Sequence, residues 1–230
     1  MQIRFDQLRG RSIAAVDGDI GKVDEFFFDD RSWKLRYLVV DTRKWLPGRK
    51  VLIDPSALKP PHPEEGALPA DLTKQKVKES PDIDTEKPIS RREQADLHVH
   101  YGWPLYFGGG SLSSARTHGT SPEATASGVR EDEAPPSTTP GTGDAEAEEA
   151  DPHLRSAKEV EGYAATVADA EVARVRDFVI DTDSWEIRRL VCRKEKQDGD
   201  REVTVPVDVV QSIHWTSAQV RLDPEAKDRF

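Results

Sequence analysis

One segment of this 230-residue chain is written twice, 152 residues apart. Phe26, Asp29, Ser32, Trp33, Arg36, Leu38 and Val39 meet Phe178, Asp181, Ser184, Trp185, Arg188, Leu190 and Val191 without a gap. Upstream, Gly10 meets Gly162 and Asp17 meets Asp169. Downstream, Val51 meets Val203 and His62 meets His214, and a two-residue gap then sets Leu72 opposite Leu222. Each copy therefore spans about seventy residues, 3–73 and 155–223. A solenoid needs at least about three short repeats, so a long period used twice indicates duplication of one small domain. A domain of that size is near the lower limit for burying its own core, so mutual packing or a partner would help both copies.

The residues inside each copy predict short strands. Trp33, Leu35, Tyr37 and Val39 alternate with Lys34, Arg36, Leu38 and Val40, the period-two signature of a strand over 33–42. Strands are also expected over 12–16, 22–29 and 51–53, and again over 164–168, 173–181, 185–193, 201–207 and 218–222. Asp17-Gly18-Asp19 and Asp29-Asp30-Arg31-Ser32 read as turns. Several short strands at close spacing suggest a small barrel, which removes exposed sheet edges. Residues 74–110 have no second counterpart. Thr73 can cap a short helix, Ser90 and Glu93 form a capping box for a helix over 91–101, and Gly102 ends it. Residues 111–152 carry nine acids, two arginines and only Leu112 and Val129 as large aliphatics. Such a stretch buries too little apolar surface to offset its ordering entropy and is expected to be a disordered acidic linker. A flexible chain of that length spans roughly 35 Å on average, so the two copies can pack together or act apart.

The net charge of −10 belongs mostly to this linker. It gives no support for direct nucleic-acid binding, which favours a basic patch. No apolar run is long enough to span a membrane, and the first residues have no signal-peptide core. The single Cys192 excludes an intrachain disulfide. These features lead us to expect a cytoplasmic protein without membrane insertion.

Gly18, Ile20-Gly21-Lys22-Val23, Trp33, Leu38-Val39-Val40 and Val51 to Leu58 together resemble the PRC-barrel family. That fold is shared by the cytoplasmic part of the photosynthetic reaction centre H subunit and the C-terminal domain of the bacterial ribosome maturation factor. The stretch Asp71 to Lys74, Ser80 to Pro88 and Tyr101 to Pro104 resembles bacterial tandem PRC-barrel proteins. The resemblance implies a mainly β chain: barrel one at 1–73, its helical and aromatic extension at 74–110, the linker at 111–152 and barrel two at 153–230. It also implies a binding module without catalytic residues. The chain departs from the family's glycines in copy two, where Ala170 and Ala173 replace Gly18 and Gly21, so the turn there is expected to differ.

No catalytic, cofactor or metal site emerges from the residues. Asp17 to Gly21 lacks the further oxygen ligands of a calcium loop, since Phe28 stands at its twelfth position. His98 and His100, two apart on a helix, do not share a face. Cys192 sits where copy one has Val40 and reads as a small buried hydrophobe. The candidates for interaction are aromatic. Trp33 and Trp185 close a barrel end or anchor a partner, and Tyr101, Trp103, Tyr106 and Phe107 form an apolar segment expected to dock on a barrel or on a second chain. The reading is a non-enzymatic adaptor for an unidentified protein partner, with a homodimer left open. The alternatives are an accessory factor in ribosome assembly or rRNA processing, and an H-subunit-like accessory to a membrane electron-transfer complex.

Overall fold

The computed structural model describes residues 1–42, 45–46, 48–59, 66–106, 150–194 and 201–230. It is mainly β, with two sheets and a few short helices. The first half contributes β1 (Gln2–Arg4), α1 (Phe5–Leu8), β2 (Ser12–Ala15), β3 (Gly18–Asp29), β4 (Leu35–Asp41), β5 (Lys50–Ile53) and β6 (Ala67–Pro69). Helices α2 (Lys74–Lys78) and α3 (Arg91–Tyr101) follow. The second half contributes β7 (Leu154–Ser156), α4 (Ala157–Val160), β8 (Ala164–Val167), β9 (Ala170–Asp181) and β10 (Glu186–Lys194). It ends with β11 (Arg201–Pro206), β12 (Val210–His214) and β13 (Gln219–Leu222).

The repeat reappears as register. The first sheet runs β5-β4-β3-β2-β6 and the second β11-β10-β9-β8-β13-β12. Leu38 faces Ile53 and Leu190 faces Val205. Ile13 faces Leu68 and Ala165 faces Val220, both in parallel pairs. Beyond β5, Leu58 bridges Ala70, and in the second half Val210 pairs with Leu222. Asp71 N donates to Ala57 O, as Asp223 N does to Val209 O, both at 2.8 Å. These links tie the segment after β5 to the end of β6, and its counterpart β12 to β13. They also correct the alignment: the constant offset continues to Asp71 and Asp223, and no two-residue gap precedes Leu222.

The sequence does not reveal which sheet the first strand of each copy joins. β1 pairs with β9 of the second half, setting Gln2 against Asp181, Ile3 against Ile180 and Arg4 against Val179. β7 pairs with β3 of the first half, setting Leu154 against Asp29, Arg155 against Phe28 and Ser156 against Phe27. The two sets are one pairing repeated, so the halves exchange their N-terminal arms reciprocally about a local twofold. Residues equivalent in the repeat meet at that axis. Phe26 and Phe178 touch edge to face with ring centres 5.2 Å apart. Lys34 bridges Glu186, and Arg9 forms an ion pair with Glu161. Leu35 N donates to Trp185 O at 2.8 Å and Ile187 N to Trp33 O at 2.7 Å. Phe5, Phe26, Phe28 and Phe178 are all fully buried, and one apolar core runs through both halves.

Several local expectations meet a different backbone. Trp33 and Trp185 are not strand residues: both are left-handed, with φ of 58° and 52°, and each turns the chain into the axis. β4 is buried on both faces from Tyr37 to Val40 rather than alternating, because α3 covers its second face. β1, β6, β7 and β12 were not expected from the sequence. The turn in copy two does differ: Ala168 and Asp169 are left-handed there, whereas copy one places Gly18 at φ 134°. α3 spans the expected residues, with Ser90 and Glu93 capping each other's backbone and Gly102 left-handed at its end. Of the linker, only Ala150–Pro152 fall among the described residues, and Ala150 bridges Ser90.

Candidate functional site

Two features stand out from the paired sheets: a polar strap across the first half and a groove beside the exchanged strand β7. The strap starts with α3. Its inward side carries Gln94, Leu97, His98 and Tyr101, all buried. His98 Nδ1 lies 2.8 Å from Pro104 O, which only accepts, so this nitrogen carries the proton. Nε2 is then free to accept from Tyr37 Oη, also at 2.8 Å. The Tyr106 hydroxyl donates to Gln94 Oε1, and Gln94 Nε2 donates to Asp151 Oδ2 at 3.4 Å. Tyr106 and Asp151, far apart along the chain, are thus held by one glutamine.

Aromatic contacts fasten the rest of the strap. Tyr101 and Trp103 stack with ring centres 4.1 Å apart, and the Arg36 guanidinium lies 3.6 Å from the Tyr106 ring centre. Burial lowers the pKa of His98 below the ordinary histidine value and raises those of Tyr37, Tyr106 and Tyr101. For a base with a lowered folded pKa, stability is fully present above the unfolded value of about 6.5 and falls as pH drops toward the folded one. The imidazole should therefore stay neutral at pH 6.5 and titrate below it. Proton–nitrogen correlation spectra of the ring across pH 5–8 check this; a midpoint at or above 6.5 would contradict the effect assigned to burial.

The groove has a volume of about 670 Å³. Phe27, Ile89, Leu154 and Trp215 supply apolar wall, and Glu25, Ser156 and Lys158 supply polar groups. Trp215, in the turn after β12, is 63 % exposed. Glu25 is only 4 % exposed. It follows a bulge in β3 between Val23 and Glu25, and β9 has the same irregularity before Asp177. Bulges re-aim side chains, and both carboxylates turn inward. Desolvation raises the pKa of Glu25, with the Ser156 hydroxyl and the field of Lys158 pulling it back down. Asp177 is likewise raised by burial, against hydrogen bonds from Phe178 N and Arg4.

Residues 1–61 match the family model of the PRC-barrel domain. Residues 1–61 carry a PRC-barrel domain. The match contains the arm β1–α1, which packs on the other half, so the PRC barrel of the first half is completed by residues from β7 and α4. The second half repeats the register of β2–β6 in β8–β11 and β13 and adds β12. No curated protein matches the chain.

Trp185 is buried and Trp33 half-buried against Phe28 at 5.7 Å, so both lie in the junction between halves. Tyr101, Trp103 and Tyr106 come together on the first barrel, and Phe107 lies outside the described residues. His98 and His100 have separate partners, since His100 Nε2 meets Lys76 O at 2.8 Å. His62 lies outside the described residues, and His214 is exposed beside Ser212. Asp17 is a turn residue whose carboxylate accepts from Lys74 N at 2.8 Å. Cys192 is fully buried, and burial pushes its thiol up to about 12. Glu25, Ser156 and Trp215 were missed in the sequence. The repeat held a usable signal, because Glu25 and Asp177 agree while their partners Ser156 and Arg4 do not.

Proposed function

We propose that the protein is a non-enzymatic adaptor whose two PRC-type halves act as one body and present fixed surfaces to a protein partner. The observation that carries this reading is the PRC-barrel match of residues 1–61, a domain type that suggests interaction. The reciprocal arms support it, because they hold two binding modules in one fixed relation. Among the described residues β5 and β11 each pair on one side only, and an open strand edge is a template on which a partner's strand can add. Among the described residues no helix is long and apolar enough to cross a membrane.

Affinity capture of the tagged full-length chain from its native cells, with mild crosslinking and mass spectrometry, tests the proposal. A defined partner recovered in stoichiometric amount, and rebuilt from purified components, is the expected result. Ribosomal proteins of the small subunit would make that partner an assembly intermediate, and membrane redox components would make it an electron-transfer complex. Recovery of the chain alone, at the depth that detects known low-abundance complexes, would overturn the adaptor reading.

A further inference from the structure

The duplication provides an internal comparison at Glu25. In the second half the equivalent carboxylate, Asp177, is met by a cation: Arg4 Nε lies 2.9 Å from its Oδ2. Arg4 and Ser156 occupy the same place in the two exchanged arms. The first half therefore offers its buried carboxylate only a hydroxyl, with Ser156 Oγ donating to Glu25 Oε2 at 2.5 Å. Glu25 has no ion pair among the described residues. Lys50 is directed to Asp24 at 3.1 Å and Glu86 at 3.8 Å, and Lys158 acts on Glu25 only through its field. Where the second half places a guanidinium, the first half has open space, the groove of about 670 Å³.

The remaining charges of the groove are already committed. Lys87 pairs with Asp84 and Arg155 with Asp30. Asp151 accepts from Gln94 and His153 N, and Glu159 accepts from Tyr163. Glu25 is left as the buried charge whose protein partner supplies least, and a buried carboxylate is best met by a cation that also donates hydrogen bonds. We propose that this groove takes the arginine side chain of an extended partner segment, its guanidinium on Glu25 in the place that Arg4 fills on Asp177. The apolar wall of Phe27, Ile89, Leu154 and Trp215 receives the aliphatic stem and the residues beside it. A fork of N–H donors matches a carboxylate better than an ammonium does, which selects arginine over lysine. The volume is that of a site for a short segment or small ligand. This inference rests on the adaptor reading and names the chemistry of its partner.

The test is isothermal titration of the full chain with the acetylated, amidated peptide Ala-Val-Arg-Val-Ala, and with the same peptide carrying citrulline for arginine. The arginine peptide should bind, and citrulline should weaken binding at least tenfold. Glu25→Gln should produce a similar loss. Ser156→Arg, which copies Arg4 into the first half, should fill the site and abolish binding while the thermal midpoint is kept or raised. Equal binding of the two peptides, or unchanged binding to Glu25→Gln, would overturn the proposal. So would agmatine binding as tightly as the peptide, which would make this a small-guanidine site. Binding seen only after residues 107–149 are removed would place the chain's own Arg116 or Arg130 in the groove and overturn it also. If Glu25→Gln still retains the captured partner, the groove assignment fails and the adaptor reading stands.

Discussion

Expressed separately, residues 1–106 and 150–230 will not persist as folded monomers, and when mixed they will pair one to one. Each fragment lacks the arm that completes its sheet. Without β1 and α1 the second half loses Ile3 and Phe5, which are 6 % and 0 % exposed in the full chain. Fully burying one such side chain is worth about 1.5–3 kcal/mol, and whole domains are stable by only about 5–15 kcal/mol. Each fragment also exposes a phenylalanine from the axis. Self-pairing would repair the sheets, because a second copy can supply the missing arm, but the charges at the axis oppose it. Arg9 meets Glu161 and Lys34 lies 3.8 Å from Glu186. In a pair of identical first halves, Arg9 would face Arg9 and Lys34 would face Lys34. In a pair of identical second halves, the two glutamates would face themselves. Exposed pairs contribute only about 0.2–1 kcal/mol each, so the charges choose between partners without providing the bulk of the affinity. Native mass spectrometry of each fragment and of the mixture reads the outcome. Reversing Glu161 and Glu186 to lysine in the second fragment should weaken the mixed pair. Two stable, non-associating monomers would contradict the exchange.

Phe178→Ala should destabilise the whole chain by about 3–5 kcal/mol, the usual cost of removing a buried aromatic ring. Phe178 lies in the second half, but its neighbours are Phe26 at 5.2 Å and Phe28 at 5.8 Å in the first. The cavity therefore opens in a core that both halves share. Urea unfolding followed by tryptophan fluorescence and by circular dichroism should show one midpoint moving to lower denaturant with its slope unchanged. A loss confined to part of the signal, with the remainder unfolding where it did before, would mean that the halves keep separate cores.

Strands β2–β5 and β8–β11 were legible because the repeat and the alternation point the same way. Trp33 to Val40 and Trp185 to Cys192 read alike and fold alike from Leu35 and Ile187 onward. α3 was legible to the residue, since Ser90, Glu93 and Gly102 mark both its ends. The arm exchange was not. Gln2-Ile3-Arg4 is too short to show a period, and duplication makes the near and far sheets chemically equivalent hosts for it. Only the reach of the chain from Arg4 to Gly10 decides between them. The left-handed tryptophans follow from the same geometry, as the chain must reverse at the axis before β4 and β10 begin. Of the candidate site, the aromatic docking of Tyr101, Trp103 and Tyr106 was readable from composition. Glu25 was not, because an acid in a strand normally faces water and only a bulge turns this one inward.

Differential scanning calorimetry of the full chain tests most directly the claim that the two repeated halves form one folding unit through exchanged arms. The account predicts a single transition whose calorimetric enthalpy equals its van't Hoff enthalpy. Two resolved transitions, or a calorimetric enthalpy near twice the van't Hoff value, would show two domains melting independently and contradict it.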